Sequence, residues 1–428
     1  MSDNFSLGPL GQFPPTRQAA LSRLAEVRPA AYASSRNHLQ GSVTRLSPYL
    51  THGLMSLPEV ALTVAARQKV HLEHKLVQEL GWREFFHHVW RHQGEAIFAS
   101  LHAGPRPDAD YLATLPEDIR QARTGVPVID AAVRTLYATG WLHNHARMWL
   151  ASYVVHVRGV FWRAGADWLV AHLLDGDLAS NHLSWQWIAG TGSHKPYLFN
   201  AENVARYAGT VPGWASPGSV LDTDYATLEA WARGTAALPA VAASVAQGKG
   251  VDEPSLHHTL PSGLPALLPM PGAKAVAKRE VWLVHPWALA DAPHAASPDA
   301  LRLGVWPAEF HARWPWSAAR WQFVATRMAA ISRQTVWADS AQLQQALAGA
   351  ASVRCTDNGH LPAGWPAAWR QPAPRLLPEP TKACSSFSQF WRRATQGAER
   401  LTDLPGWAAG GRVDEAVGSA SEPGLFDD

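Results

Sequence analysis

Cysteine is nearly absent. Two residues in 428, Cys355 and Cys384, cannot build a disulfide framework or a four-thiolate metal centre. That usage fits a reducing compartment. Net charge is also small: 37 Lys and Arg against 35 Asp and Glu leave +2, which excludes coating nucleic acid by charge alone but not a local basic groove. No apolar run reaches the roughly 20 residues that span a bilayer. The opening MSDNFSLGPLGQFPPTRQ has neither a basic n-region nor an apolar h-region, so it does not read as a signal peptide. Together these absences predict a cytoplasmic protein away from membranes. A G-x-G-x-x-G dinucleotide fingerprint is missing too.

Tryptophan is abundant, with 21 residues against 8 tyrosines. Stacking surfaces for planar ligands or redox wiring would account for the surplus. For any single indole, core packing is the simpler role.

The length allows two or three domains. Residues 17 to 235 read as helix after helix. Ser47-Pro48 and Ser56-Leu57-Pro58 look like helix starts, with serine as N-cap. The stretches 75–92, 128–140 and 143–157 carry helical periodicity without strand alternation. From 236 to 275 the composition shifts to Ala, Pro, Gly and Ser, as in LPSGLPALLPMPGAKA, which marks a linker or a loop over the surface. Beyond it, 281–289, 302–307, 334–340 and 352–358 read as strands, with helices at 317–332 and 342–350. This βαβ rhythm predicts a small α/β domain over 276–400. Residues 401–428 read as a disordered tail. The fold class is therefore mainly α, an all-helical domain over 1–235 followed by a small C-terminal α/β domain.

The stretch LLDGDLASNHLSWQWIAGTG (173–192) concentrates acids, an amide and indoles in a segment that otherwise reads as buried. On a helix Asp177, Asn181 and Trp185 share a face and Trp187 points elsewhere. Such a row suits the edge of a flat polar heterocycle; an aspartate N-cap followed by ordinary core is the alternative. A second helix aligns Glu79, Trp82, Arg83 and Phe86, and a third aligns Asn144, Arg147, Met148 and Ala151. An intrahelical Glu79–Arg83 pair on a partner-facing helix would also explain the second stripe. Three polar faces with aromatics suggest a shared pocket. Thr44, Arg45 and Ser47 precede or open a helix, where free N–H groups favour an anion such as phosphate; a plain Ser-Pro cap is the alternative.

Tyr32 and Arg36, TRLSPYL (44–50), ELGWREF (79–85), TGWLHNHARM (139–148), the 173–192 stretch and YLFN resemble, in this order, the FAD-binding helical domain of the DNA photolyase/cryptochrome family. The resemblance covers about 20 to 210. It implies that Tyr32, Thr44, Arg45, Leu46 and Ser47 hold the FAD phosphates and ribityl chain, with Arg83 on the pyrophosphate. Trp141 and Asn144 would line the flavin. Arg147 would pair with Asp175 over the ring system, Gly176 and Asp177 would complete the cofactor set, and Asn181 would face flavin N5. Glu79, Trp82, Met148 and Trp187 match the wall of a lesion pocket, with Arg36, Asn144 and His145 also on the substrate side. Trp185 and Trp162 match the first two residues of a photoreduction chain. The catalytic set implied is Glu79, Asn181, Trp185 and Trp162; no metal is implied.

The implied function is blue-light-driven repair of cyclobutane pyrimidine dimers, a carbon–carbon lyase reaction with non-covalent FAD. A neutral amide at Asn181 tolerates a reduced anionic flavin, whereas a carboxylate would repel the added electron density. The implied partner is UV-damaged DNA, single-stranded DNA included, bound by a monomer. A non-enzymatic cryptochrome-type blue-light photoreceptor is the alternative, and a flavoprotein that has lost both roles is a third. Three positions depart from the family pattern: Ala109 at the third chain tryptophan, with Tyr111 nearby; His145 in place of arginine; and Val43 in place of a hydroxyl. RLGVWPAEFHARWPW, TVWADSAQLQQAL and SFSQFWRRA resemble pieces of the family's α/β antenna domain, which normally comes first. That predicts a short or permuted member, and an unrelated small α/β module is the alternative. No antenna pigment is signalled by these residues.

Overall fold

The fold comes from a computed structural model that describes residues 8–240, 249–291 and 296–404. Five helices of the first part position the site: α1 (Lys75–Gln93), α2 (Pro127–Thr139), α3 (Asn144–Ser152), α4 (Trp162–His172) and α5 (Leu178–Ala189). The start at Ser56 is as expected. Its hydroxyl accepts from the Glu59 N–H, the Glu59 carboxylate accepts from the Ser56 N–H, and Pro58 fills the first turn of Leu57–Arg67. The start at Ser47 differs. Helix Ser47–Thr51 is entered through Leu46, and the Ser47 hydroxyl accepts from Trp141 Nε1 at 3.2 Å instead of capping. Helix α3 also stops short of 157. Residues Tyr153–Val157 widen into a π-turn, where three valines crowd the preceding turn and His156 Nε2 bonds to Ile188 O at 2.9 Å.

After the helices comes a five-stranded, wholly parallel sheet: β1 (Glu280–Val284), β2 (Leu301–Pro307), β3 (Gln334–Ala338), β4 (Ser352–Thr356) and β5 (Arg370–Gln371). Its spatial order is β3-β2-β1-β4-β5, the pattern of an open doubly wound sheet. The central β1 pairs with β2 and β4, and its Val281, Trp282, Leu283 and Val284 are all buried, as a strand covered on both faces requires. β1 stops two residues before Pro286, which has no N–H to continue a ladder. Helix α6 (Ala318–Ile331) follows β2, and α7 (Phe387–Ala394) closes the described chain apart from a short 3₁₀ turn at 401–403. Within the stretch read as a tail, Leu401 and Leu404 are buried, and the remainder lies outside the described residues. β5 escaped the sequence reading because two residues flanked by prolines leave no alternation to read.

The described part of the Pro/Ala/Gly-rich stretch, 249–275, runs over the surface and is tied down. Val251 N–H donates to Gln121 O at 2.8 Å. Glu253 collects Arg120 at 2.6 Å, Trp168 Nε1 at 3.0 Å and His172 Nε2 at 3.1 Å. Further along, Leu256–His257 pairs with Trp316–Ser317, and Leu268 N–H donates to Thr335 O at 2.8 Å on the β3 edge.

Two hydrophobic cores organise the molecule. One joins the helices up to Phe98 with strands β1 to β4 of the parallel sheet. The other gathers residues between Leu115 and Leu228. Helices α4 and α5 straddle both, since Val170 and Leu183 belong to the first core while Trp162 and Trp185 belong to the second. The loop between them, 173–177, therefore sits at the seam. Among the described residues no helix is long and apolar enough to cross a membrane.

Candidate functional site

The seam is where the predicted residues converge. Asp175, with a side chain 2 % exposed, is bridged by Arg147 Nη2 at 3.0 and 2.7 Å to its two oxygens. Arg147 also donates from Nε to Leu142 O at 3.0 Å, which fixes its stem. Two residues on, Asp177 does not share the helix face with Asn181 and Trp185. It is the N-cap of α5, accepting from the Ser180 N–H at 3.1 Å. Asx side chains are favoured there because they satisfy an orphan N–H of the first turn.

Asp177 does more than cap. Arg83 Nη1 lies 3.6 Å away and His87 Nε2 3.1 Å away, both from α1. Burial pushes the Asp177 pKa up, but Arg83 and then His87 outweigh it and hold the carboxyl well below the usual range. Asn181, one turn into α5, donates from Nδ2 to Ala166 O at 2.9 Å, so its amide orientation is set by α4.

A second group forms around Trp141. Its indole N–H is taken by Ser47, and the Arg45 guanidinium carbon sits 5.2 Å from its ring centroid. Arg45 has φ 50, a left-handed conformation that costs a non-glycine residue of the order of 1–2 kcal/mol. Leu46 follows in a right-handed one, with φ −90 and ψ −9. Consecutive residues of opposite hand turn their N–H groups to one side and make an anion-binding nest. His143 lies beside this group. Burial, then the charges of His145 and Arg147, push its pKa down to about 4, so it is neutral at pH 7. Thr44 accepts weakly from the Leu46 N–H at 3.4 Å.

On the outer side Arg36 Nε meets Glu79 at 3.5 Å, and the Glu79 side chain stays 41 % exposed. Tyr32 is next to them, its hydroxyl pKa raised by burial and by Glu79. Asn144, exposed at the head of α3, donates to Met148 Sδ at 3.5 Å.

Three of the expected substrate residues have neighbours that the sequence does not show. Trp82 lies flat on Phe387 of α7, with centroids 4.1 Å apart and planes at 9°, so one of its faces is already taken. His145 is turned inward, buried between Tyr207 at 4.5 Å and Trp149 at 5.0 Å, because the helix face that shows Asn144 to solvent hides its neighbour. Trp187 is 41 % exposed beside Tyr197, and among the described residues no ring contact joins it to Trp82.

Trp185 and Trp162 are both buried. Trp185 packs so closely on Gly165 that a Cβ there would overlap its ring, which brings it onto α4 within a turn of Trp162. Trp162 donates to Ser100 Oγ at 3.0 Å. Leu112, next to Tyr111, pairs with Gly159 and Phe161 on the approach to Trp162.

The sequence reading missed His87, Glu84, His360 and Arg320. His87 continues the stripe of Glu79 and Arg83 at four-residue spacing and was legible in principle. Glu84, on another face of α1, accepts the Leu376 and Leu377 N–H groups at 2.7 and 2.8 Å and anchors the distal chain. His88 and His92 with Glu379 have the spacing of a metal site. However, His88 Nε2 accepts from the Cys384 N–H at 3.0 Å, so Nδ1 carries the proton donated to Glu379 and offers no lone pair.

A family model described as the FAD binding domain of DNA photolyase matches residues 76–211. A deoxyribodipyrimidine photo-lyase of Streptomyces griseus is 40% identical over 169 residues, 38% of this chain and 36% of its own. Another from Synechococcus sp. is 34% identical over 219 residues, 46% of this chain and 44% of its own. A chloroplastic/mitochondrial cryptochrome DASH of Oryza sativa subsp. japonica is 34% identical over 171 residues, covering 38% of this chain and 29% of its own. The chain thus spans less than half the length of these three relatives. The residues fit the cofactor: Arg45–Leu46 has the alternating hand of a phosphate nest, and two buried carboxylates each face a guanidinium group. Residues 76–211 are therefore similar to the FAD-binding domain of DNA photolyase, and FAD is the cofactor.

Proposed function

We propose that this protein is a light-driven DNA repair enzyme that splits cyclobutane pyrimidine dimers. The observation that carries the reading is the division of labour along α1. Arg83 reaches inward to Asp177, while Glu79, one turn earlier, stays two-fifths exposed beside Arg36. A carboxyl group one turn from the cofactor cluster is placed to hydrogen-bond a base edge flipped out of the stack. Bound FAD supplies the electron-transfer chemistry, and the protein's task is positioning and electrostatics. Arg147 and Asp175 orient the ring system, the Arg45–Leu46 nest and Ser47 take the phosphate end, and Asn181 presents a neutral amide held by Ala166. Trp185 and Trp162 form a buried aromatic path for photoreduction. The substrate is UV-damaged DNA, single-stranded DNA included, engaged by a monomer through Glu79, Arg36, Asn144, Met148, Trp187 and the free face of Trp82. The parallel sheet following the helices is an antenna-like α/β unit, a reading supported by its β3-β2-β1-β4-β5 order.

One observation favours a second reading, a blue-light receptor without repair activity. Phe387 covers a face of Trp82 that a substrate-binding indole would keep open. Illuminating the chemically reduced, FAD-loaded protein with thymine-dimer oligonucleotides, single- and double-stranded, decides between them. Restoration of the monomer bases on either substrate is expected. A flavin-loaded protein that restores neither leaves the receptor reading.

A further inference from the structure

Arg320 is the most deeply buried cation in the described structure, 1 % exposed. It belongs to α6, packed on the sheet, yet its side chain crosses the seam into the helical part. Nη1 donates to Val170 O at 3.2 Å and Nη2 to Gly176 O, while the guanidinium carbon lies 4.0 Å from the Trp316 ring centroid. Among the described residues no carboxylate is within ion-pair distance of it, and its Nε has no acceptor. Burial pushes its pKa down to about 9, opposed by Asp175 and Asp177, so the charge persists at neutral pH.

An unpaired cation in a protein interior costs several kcal/mol, so packing alone is a poor reason for it. Its surroundings suggest a better one. Gly176 stands between the two site aspartates, and any Cβ there would overlap both the Arg320 guanidinium and Val170 O. The rest of the loop is held from the same side. Thr51 donates to Asp175 O at 3.2 Å, a His52 ring nitrogen lies 2.8 Å from Leu174 O, and His360 accepts from the Leu178 N–H at 3.2 Å. Burial keeps His52 and His360 neutral, with pKa values pushed far below the ordinary histidine range. Arg147 and Arg83 approach the two aspartates and match their charge; Arg320, behind the loop, is left as one positive charge in excess.

We propose that Arg320 is a positioning residue for the redox state of the site, a fixed positive charge behind Gly176 that favours anionic reduced flavin over neutral oxidised flavin. The α/β part would then belong to the redox centre instead of being a separable module. This rests on the FAD reading, and the two are separable by experiment.

The test uses the full chain loaded with FAD, as wild type, Arg320→Lys, Arg320→Gln and Arg320→Met. Oxidised-FAD affinity is measured by fluorescence titration, the two-electron midpoint potential by equilibrium dye titration, and folding by circular dichroism. Removing the charge is expected to weaken reduced-over-oxidised binding about tenfold, a potential about 30 mV lower. Arg320→Lys should stay near wild type, and oxidised-FAD affinity should change much less. A flavin-loaded Arg320→Gln or Arg320→Met at the wild-type potential overturns this inference alone, as does a lysine variant that falls equally far. If both neutral variants fail to fold while the lysine variant folds, the charge serves the fold and the proposal is again overturned. A wild-type chain that takes up no FAD overturns the cofactor reading, and this one with it.

Discussion

Replacing Asp175 with alanine tests the centre of the site. Arg147 would lose both of its contacts to the carboxylate, at 3.0 and 2.7 Å, and keep only the Leu142 carbonyl at 3.0 Å. Breaking a buried ion pair from one side costs about 3–5 kcal/mol, because the remaining charge is left uncompensated. The Arg147 side chain is 25 % exposed, so water recovers part of that, and we expect about 2–3 kcal/mol. Asp175→Asn, whose amide oxygen can still accept one bond, should cost about half as much. Urea unfolding of the cofactor-free protein measures the stability term, and a double-mutant cycle with Arg147→Met isolates the pair. If the pair also orients the flavin, FAD affinity should fall by about the same free energy, roughly 30-fold to 150-fold. An Asp175→Ala protein with wild-type unfolding and wild-type FAD affinity would refute the assignment.

Trp185→Phe should abolish photoreduction of oxidised FAD by blue light in the presence of a reductant, while repair by pre-reduced protein survives; equal photoreduction would reveal another aromatic route. Trp187→Ala, at an exposed indole, should weaken binding to dimer-containing DNA by about 1–3 kcal/mol, the worth of one base–aromatic stack, and leave undamaged DNA nearly unaffected. Equal loss on both DNAs would make Trp187 structural. Acid should dismantle the site and its braces together. Asp177, Asp167, Glu253 and Glu379 all have folded pKa values below their free values of 3.8 for Asp and 4.5 for Glu. A depressed carboxyl stabilises the fold above its free value and loses that contribution as pH falls through its folded value. The urea midpoint should therefore drop steeply below about pH 4.5, and Asp177→Asn should flatten the drop; a flat wild-type profile down to pH 3.5 contradicts this.

Local chemistry was legible where it acts over one or two turns. The apolar strands, the α1 stripe and the Ser56 N-cap could be read because period and cap are encoded in neighbours. Asp175, Arg147 and Arg83 could be nominated from ordered motifs, and the fold brings them to one seam. The same local logic left Asp177 open between a helix face and an N-cap: spacing cannot tell the first residue of a helix from its cap, and the Ser180 N–H decided it. Exposure was not legible either. His145 and Asn144 are adjacent letters, yet one is buried under Tyr207 and the other faces solvent, which depends on what packs against α3.

What the tertiary structure alone decided is which distant groups complete the site. Arg320 and His360 reach the 176–178 backbone across 144 and 182 residues of chain, and Phe387 covers Trp82 across about 300. Nothing in local pattern predicts such approaches, because they follow from how the sheet packs on the first helices to bury a shared core. The sequence by itself determined most of the longer elements, the cofactor-binding stretch and its charges. The docking of the sheet on that stretch decided which of those charges are matched and which one is left over.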